Sequence, residues 1–259
     1  MNKNNRILIL NQEDVIGSSI YHKLVFNKFN VIDSSDLNYK NDNELKEFIF
    51  ATKPDYCFIT TFDKEYEQKI INLLINIKCK KIINYLNIND YDNYTKLQQQ
   101  SLITILIDEV YGDNDDYNFE TCSIFATILR QIHESNIYNN PIIYLQIENN
   151  RKRNFIHGDD LANATINIID NFNTNQIVDL RTGSNLNLKC LADLIKECLN
   201  YTGELIFWDE NKYQYRNSKY NRTVKKLDWM PKVTIKQGIR KTHSKLIDTN
   251  KYFIVSSIF

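Results

Sequence analysis

Runs of hydrophobic residues alternate with amphipathic stretches along the first half of the chain. Continuous apolar runs bounded by polar residues predict buried strands at 7–10, 29–33, 55–60, 81–86 and 102–107. Apolar residues spaced three and four positions apart predict the intervening helices at 17–28, 43–52 and 63–78. Strands separated by helices are typical of a parallel sheet with right-handed crossovers, so the pattern predicts a doubly wound α/β fold.

The pattern becomes less regular in the second half of the chain. It predicts strands at 141–147, 177–180 and 204–208, and helices at 125–134, 159–171, 188–199, 224–227 and 235–245. Side chains that cap helix N-termini are expected from the pair Asp159–Asp160 and from Asn187. We therefore divide the chain into a Rossmann-like core at 1–140 and a mixed region at 141–259, which completes the sheet and forms a small C-terminal α/β subdomain for substrate binding.

Composition narrows the function classes. The 259 residues contain 32 Lys+Arg and 32 Asp+Glu, and a net charge of zero argues against a dedicated nucleic-acid or membrane-surface binder. The apolar runs are shorter than the roughly 18 residues that a transmembrane helix needs. Five scattered cysteines without a C-x-x-C pair favour a reducing, cytoplasmic setting, and the four histidines are too far apart to indicate a metal site.

The turn after the first strand has the position of a dinucleotide-binding loop but not its usual residues. A Rossmann fold places glycines there, so that the backbone can approach a pyrophosphate at the helix N-terminus. In the segment 11–17, Gly17 is the one glycine, although Asn11 is a residue type that tolerates a positive φ. Asp14, next to Glu13, places a carboxylate where the phosphates would lie. The sequence thus predicts a degenerate cofactor site.

Four segments resemble the extended short-chain dehydrogenase/reductases that remodel nucleotide sugars, in particular the GDP-L-fucose synthase group. Residues 111–117 resemble its Y-G-P-x-D-N-F segment, and residues 128–134 resemble the helix that follows. The stretch RNFIHGDDLA at 153–162 is close to R-x-F-[IL]-H-V-D-D-[LM]-A and is the most specific of these signals. Residues 227–232 and 238–239 resemble the family's L-G-W-x-P-x…G-[IL] tail.

The resemblance implies ligands and the residues that hold them. It implies NADP or NAD as cofactor, held through Gly17, Asp33 and Lys96; an acidic residue after the second strand favours a ribose hydroxyl over a 2′-phosphate. It implies a GDP- or UDP-linked sugar as substrate, contacted by Arg153, Arg130 and Lys219. An arginine suits a diphosphate because its guanidinium donates two parallel hydrogen bonds. Quaternary structure stays open between a homodimer and a complex with another protein.

The resemblance also shows what chemistry is missing. The family reduces its substrate with a tyrosine acid four residues before a lysine, and here Asp92 precedes the retained Lys96. Tyr91 and Tyr94 are displaced by one and two positions, which rotates them about 100° and 200° around a helix. The serine segment is replaced by NYLN at 84–87, no cysteine follows it, and the histidine position falls on Ser123. A new site built from Asp92, Lys96 and Cys122 is an alternative.

Two hypotheses follow from the sequence. The first is a nucleotide-sugar epimerase/reductase homologue, of the type that acts on GDP-4-keto-6-deoxymannose, with an eroded active site and retained nucleotide-sugar binding. The second is a non-catalytic Rossmann-fold subunit that regulates or binds another protein. The lost glycine turn and the lost tyrosine are the features that separate the two hypotheses, because NAD(P)-dependent catalysis would need a remodelled site.

Overall fold

The computed structural model describes residues 1–60, 64–93, 101–118, 121–147, 152–172, 175–181, 183–209 and 224–248. The helices in this part of the chain are α1 (Val15–Phe26), α2 (Asp42–Thr52), α3 (Lys64–Asn76), α4 (Ile124–Ile137), α5 (Gly158–Asn171), α6 (Leu188–Cys198) and α7 (Ile235–Asp248), with a 3-10 helix at Ile88–Asn93. None of these helices is both long and apolar enough to cross a membrane.

The first six described strands are β1 (Arg6–Leu10), β2 (Asn30–Val31), β3 (Tyr56–Ile59), β4 (Lys81–Asn87), β5 (Leu102–Ile107) and β6 (Glu109–Tyr111). The remaining six are β7 (Ile142–Ile147), β8 (Arg153–His157), β9 (Gln176–Asp179), β10 (Ser184–Leu186), β11 (Glu204–Asp209) and β12 (Val224–Lys226).

Seven of the described strands form one parallel sheet in the order β2–β1–β3–β4–β5–β9–β12. From β1 the chain passes through α1 to β2 on one side, and then through α2 to β3 on the other. The strand order therefore reverses at β1. In such sheets a ligand binds outside the carboxyl ends of the strands at this reversal, so the ends of β1 and β3 locate the candidate site.

Side chains of alternate residues in β1 pack into two different layers, which confirms the doubly wound α/β architecture. Ile7 and Ile9 pack with residues of α1 and α5 on one face of the sheet. Leu8 and Leu10 pack with residues of α2 and α3 on the other face. Because both faces are covered, the central strands are mostly apolar, as the sequence pattern predicted, with buried polar residues at Asn84 and Thr104.

A second apolar cluster belongs to the C-terminal part of the chain. It joins residues of α4, α6 and α7 with the inward side chains of β7, Ile143 and Leu145. In the described residues β7 pairs in parallel with β11, and β8 pairs with β6 and β10. These two small sheets and three helices lie beside the end of the central sheet, where β9 and β12 are its last strands.

Two local predictions were wrong. Residues 224–227 were predicted as helix, but Val224–Lys226 is strand β12, which pairs in parallel with β9. A three-residue segment has too little sequence for its own periodicity, and its pairing with β9 decides its conformation. The pair Asp159–Asp160 does not cap α5: the helix begins at Gly158 and the side chain of His157 accepts the hydrogen bond from the Asp159 N–H.

Asp160 has a different structural role from the predicted cap. Its buried carboxylate accepts hydrogen bonds from the backbone N–H groups of Lys232, at 3.0 and 3.1 Å, and of Val233, at 2.8 Å. The segment before α7 is thereby fastened to the first turn of α5.

Candidate functional site

The turn after β1 is closed by its own side chains. Asn11 has a φ of 58°, as its residue type allowed, and turns the chain into α1. Asp14 is the N-cap of α1, and its carboxylate accepts a hydrogen bond from the Gly17 N–H at 2.5 Å. The side-chain amide of Asn11 donates to the other carboxylate oxygen at 3.0 Å. The carboxylate therefore takes hydrogen bonds that a bound phosphate receives at a helix N-terminus.

Thr60, directly after β3, contacts the turn that follows β1. Its buried hydroxyl donates to the carbonyl oxygen of Leu10 at 2.6 Å and lies 3.1 Å from that of Asn11. Gly17 packs against the same turn: a Cβ atom there would lie 2.3 Å from the Asn11 carbonyl oxygen. The glycine is thus required for close packing of the turn on α1, which is a structural requirement that needs no ligand.

The charge of Asp14 depends on pH near neutrality. Burial raises the pKa of its carboxyl group to about 7, although hydrogen bonds from Gly17, Thr60 and Asn11 act in the opposite direction. Glu13 beside it is exposed. A pyrophosphate at this helix N-terminus would meet a carboxylate that already holds the Gly17 N–H group. The residues present therefore do not fit a dinucleotide bound in the usual way.

Asp33 lies after β2 in an acidic pocket of about 310 Å³. It accepts hydrogen bonds from the N–H and hydroxyl of Ser35, at 3.1 and 2.8 Å, and the first of these lowers its pKa. Asp36 and Glu44 also line the pocket, and no lysine or arginine is among its described lining residues. The pocket is suited to hydroxyl groups and not to a phosphate.

The end of β4 carries amides in place of the expected serine. Asn84 is buried, and its side-chain amide donates to the Glu67 carboxylate at 2.7 Å. Asn87 donates to the carbonyl oxygen of Asp108 at 3.2 Å. The two amides connect β4 to α3 and to the residue that follows β5. An amide is a poor proton donor for catalysis. The 3-10 helix follows, and its Tyr91 is buried in an apolar cluster.

The residues of the expected tyrosine–lysine pair fall mostly outside the described part of the chain. Tyr94 and Lys96 lie outside the described residues, and so does the side chain of Asp92. Their roles stay predictions.

Arg153, the first residue of β8, forms an ion pair with Glu109 of β6, and its side chain is 12% exposed. The two strands are parallel neighbours, so the pair joins their starts. Glu109 was not among the predicted site residues. Its pairing with a residue 44 positions away is a product of the fold that no local pattern signals.

Arg130 lies in α4 and is 4% exposed. Its guanidinium pairs with Glu134 one turn later, at 3.1 Å, and donates to the carbonyl oxygen of Tyr117. These contacts hold the loop before α4 against the helix. Lys219, the third predicted substrate contact, lies outside the described residues.

The loop between β6 and α4 is built on buried polar side chains. Ser123 caps α4 by accepting a hydrogen bond from the Ala126 N–H at 3.1 Å, and its hydroxyl donates to Asp115 at 3.2 Å. Burial raises the pKa of Asp115 to about 7. Cys122 lies 3.1 Å from the Thr127 hydroxyl. Within the described residues, no group of three His, Cys, Asp or Glu side chains is placed to hold a metal ion.

Comparison with curated proteins gives significant similarity to GDP-L-fucose synthases, whereas no family model matches the chain. A probable GDP-L-fucose synthase 1 from Oryza sativa is 28% identical over 148 residues, which is 56% of this chain and 45% of that protein. A putative GDP-L-fucose synthase 2 from Arabidopsis thaliana is 28% identical over 152 residues, 58% of this chain and 46% of its own length. The chain spans about half the length of these relatives.

Several solved structures with the same fold are named as synthases or epimerases of nucleotide sugars. A GDP-L-fucose synthetase from Naegleria fowleri bound to NADP is 12% identical, with a TM-score of 0.75 over 97% of this chain and 96% of the other. A GDP-D-glycero-L-gluco-heptose synthase from Campylobacter jejuni, in the presence of NADPH, is 17% identical, with a TM-score of 0.71 over 96% and 99%. A UDP-glucose 4-epimerase from Thermotoga maritima with UDP-glucose is 16% identical, with a TM-score of 0.74 over 95% and 99%.

Proposed function

We propose that this chain, which is similar to GDP-L-fucose synthases and has the fold of solved GDP-sugar synthases, binds a GDP- or UDP-linked sugar without reducing it with NADP or NAD. The proposal separates two properties that the family combines in one active site: recognition of the nucleotide sugar, and hydride transfer from a dinucleotide.

The observation that carries the proposal is the closed turn at the reversal of strand order. Asp14 caps α1 with its own carboxylate, and Thr60 and Asn11 complete the hydrogen bonds around it. For a pyrophosphate to bind, the carboxylate must leave the Gly17 N–H and two like charges must come together in a partly buried place. Both steps oppose cofactor binding, and hydride transfer requires the cofactor.

Loss of the proton donor supports the same conclusion. Reduction of a ketone needs an acid beside the forming alkoxide, and in this family a tyrosine supplies it. Asp92 occupies that position in the sequence, four residues before Lys96. Asn84, near the position of the carbonyl-polarising serine, is engaged with Glu67.

Retained sugar-nucleotide binding rests on Arg153. Its guanidinium is partly exposed at the start of β8 and already holds one carboxylate, Glu109. A diphosphate offers the same planar pair of oxygens as a carboxylate with an additional negative charge, so it can compete for this arginine. Arg130 and Lys219 are proposed helpers by resemblance alone, because Arg130 is buried in contacts within α4 and its loop.

An alternative function, binding of another protein, is supported by an exposed apolar face. The outer face of the β7–β11 sheet exposes Ile142, Tyr144 and Trp208, which are 40%, 65% and 46% accessible. Parallel strands are usually covered on both faces, and tyrosine and tryptophan are enriched at protein interfaces. A regulatory or interaction subunit would use such a face.

The experiment is calorimetric titration of the purified protein with GDP-mannose, GDP-fucose and UDP-glucose, repeated with two variants. Arg153→Ala removes the proposed diphosphate contact. Arg6→Ala is the matched control, because Arg6 also begins a strand and pairs with a carboxylate, Asp55, but lies in β1 of the seven-stranded sheet, whereas Arg153 lies in the separate sheet of β6, β8 and β10. Loss of a charge-assisted hydrogen bond should cost about 1.5–3 kcal/mol, or roughly tenfold to a hundredfold in affinity, for Arg153→Ala alone.

Two outcomes would overturn the proposal. Equal affinities of the two variants, or no binding by the wild-type protein, would favour the protein-binding alternative. Consumption of NADPH with GDP-4-keto-6-deoxymannose at more than about 1 s⁻¹, inside the ordinary range of enzymes, would show that another residue donates the proton. Tyr91, Tyr94 and Cys122 are then the first residues to replace.

A further inference from the structure

Two of the contacts that attach helix α7 to its neighbours each contain a buried histidine. The first is the N-cap of α5. His157 Nδ1 accepts a hydrogen bond from the Asp159 N–H at 3.2 Å, so this nitrogen carries no proton and the hydrogen of the neutral ring is on Nε2. The Asp159 carboxylate in turn accepts a hydrogen bond from Lys241 of α7.

Charged groups from three elements surround the His157 ring, which is 2% exposed. Its Nε2 lies 3.8 Å from the Asp113 carboxylate, which is 3.5 Å from Lys241 on its other oxygen. Burial lowers the pKa of His157, and Lys241 adds to this effect, whereas the nearby carboxylates oppose it. The titratable groups that face the ring are Tyr111, Asp113, Asp159, Asp160 and Lys241.

The second contact joins α7 to α4. His243 Nε2 lies 2.9 Å from His133 Nδ1, with the two rings edge to face. A hydrogen bond between two imidazoles needs one ring as acceptor, so it is lost when both rings are protonated and repel each other. Burial lowers the pKa of His133, and burial together with the His133 ring lowers that of His243 to about 4. The charged residues next to them along the two helices are Arg130, Glu134, Arg240, Lys241 and Lys245.

We propose that protonation releases α7 from its neighbours. In mild acid His157, His133 and His243 take up protons and α7 separates from α4 and α5, while the seven-stranded sheet stays folded. Protonation places a hydrogen on His157 Nδ1, directly opposite the Asp159 N–H, and breaks the cap that positions the Asp159–Lys241 contact. Protonation of both His133 and His243 breaks the second contact. Protonation therefore weakens both histidine contacts of the same helix.

Release of α7 has a consequence for the rest of the C-terminal part. The helix packs against β8, the strand that begins with Arg153, and its Ile239 and Leu246 are buried in the cluster shared with α4 and α6. Opening the helix would expose this cluster and loosen β8. The fourth histidine, His22, is exposed on α1 and takes no part. The inference stands on these contacts and does not depend on the proposed function.

The test is amide hydrogen exchange read by mass spectrometry at about pH 7.5 and about pH 5, after correction for the chemical exchange rate. Each histidine whose pKa is lowered in the closed state favours opening by up to about tenfold per pH unit below its ordinary pKa of about 6.5. We expect exchange in α7 to accelerate about tenfold or more at the lower pH, with β1, β4 and β5 remaining protected.

Three variants identify the cause. His157→Asn keeps a capping oxygen at the place of Nδ1, and His243→Gln keeps a nitrogen at the place of Nε2, but neither side chain titrates. Each should reduce the acceleration in α7, and the double variant, in which only His133 still titrates, should reduce it most. His22→Gln, the matched control, should leave it unchanged.

Acceleration in the double variant equal to that of the wild type would overturn the proposal. So would equal acceleration in the central sheet and in α7, or none in the wild-type helix. The wild-type measurement decides the last two outcomes even if a variant fails to fold. Histidine proton resonances give a second readout in the wild type: His157, His133 and His243 should titrate below the ordinary histidine range.

Discussion

Replacement of Asp14 by asparagine should stabilise the protein, and increasingly so as the pH rises. The change removes the charge but keeps a side-chain oxygen that can accept from the Gly17 N–H, since asparagine is as good an N-cap as aspartate. Burial raises the pKa of Asp14 from 3.8 to about 7. A carboxyl group with a raised pKa stabilises the folded state below its unfolded-state pKa, and this contribution is lost as the pH rises through about 7.

The structure sets the size of this effect. A rise in pKa from 3.8 to about 7 corresponds to about 4 kcal/mol in the free energy of unfolding at high pH. Asp14 keeps partial contact with solvent, which reduces the figure. We expect the advantage of Asp14→Asn over the wild type to grow by about 1–3 kcal/mol between pH 5 and pH 8. For a chain of this length that is a Tm difference of about 2–4 °C for each kcal/mol.

The assay is urea unfolding of both proteins at four pH values between about 5 and 8, followed by far-ultraviolet circular dichroism. Asp33→Asn is the control, because the Asp33 carboxyl is exposed, its pKa is lowered, and its replacement removes the same charge. The control should show no advantage that grows with pH. Parallel pH profiles for Asp14→Asn and the wild type would refute the assignment of a buried, proton-dependent carboxylate to this turn.

Two further substitutions test the packing around the site. Gly17→Ala places a methyl group 2.3 Å from the Asn11 carbonyl oxygen and should lower the free energy of unfolding by about 1–3 kcal/mol in urea titrations. Unchanged stability would contradict the close packing of Gly17 against the Asn11 carbonyl oxygen. Asp160→Ala leaves the N–H groups of Lys232 and Val233 without their acceptor, so it should cost about 1–3 kcal/mol and speed hydrogen exchange at the start of α7. Exchange like that of the wild type would contradict this role.

The sequence was sufficient for the central sheet because strands covered on both faces are rich in apolar residues and form recognisable apolar runs. Thus β4 and β5 lie close to their predicted bounds, and Asn187 caps α6 as predicted by accepting from the Cys190 N–H. It was not sufficient for β6, β10 and β12, which are three residues each. In strands this short the conformation is decided by the pairing partner, and no periodicity can be read from three positions.

The candidate site shows the same division between local and long-range information. The acidic residue at position 14 and the positive φ of Asn11 follow from local sequence, and the structure confirms the φ. That the Asp14 carboxylate folds back as a cap, with a pKa near neutrality, depends on burial and on Thr60, which is reached only through the pairing of β1 with β3. The Glu109 partner of Arg153 was missed for the same reason.

The central claim is that the turn after β1, at the place of a dinucleotide-binding loop, is closed, and titration of the wild-type protein with NADPH in a calorimeter tests it most directly. Because the Asp14 carboxylate holds the Gly17 N–H at the head of α1, we expect no saturable binding up to about 1 mM NADPH at pH 8, where this group is charged. A dissociation constant in the micromolar range under the same conditions would contradict the account.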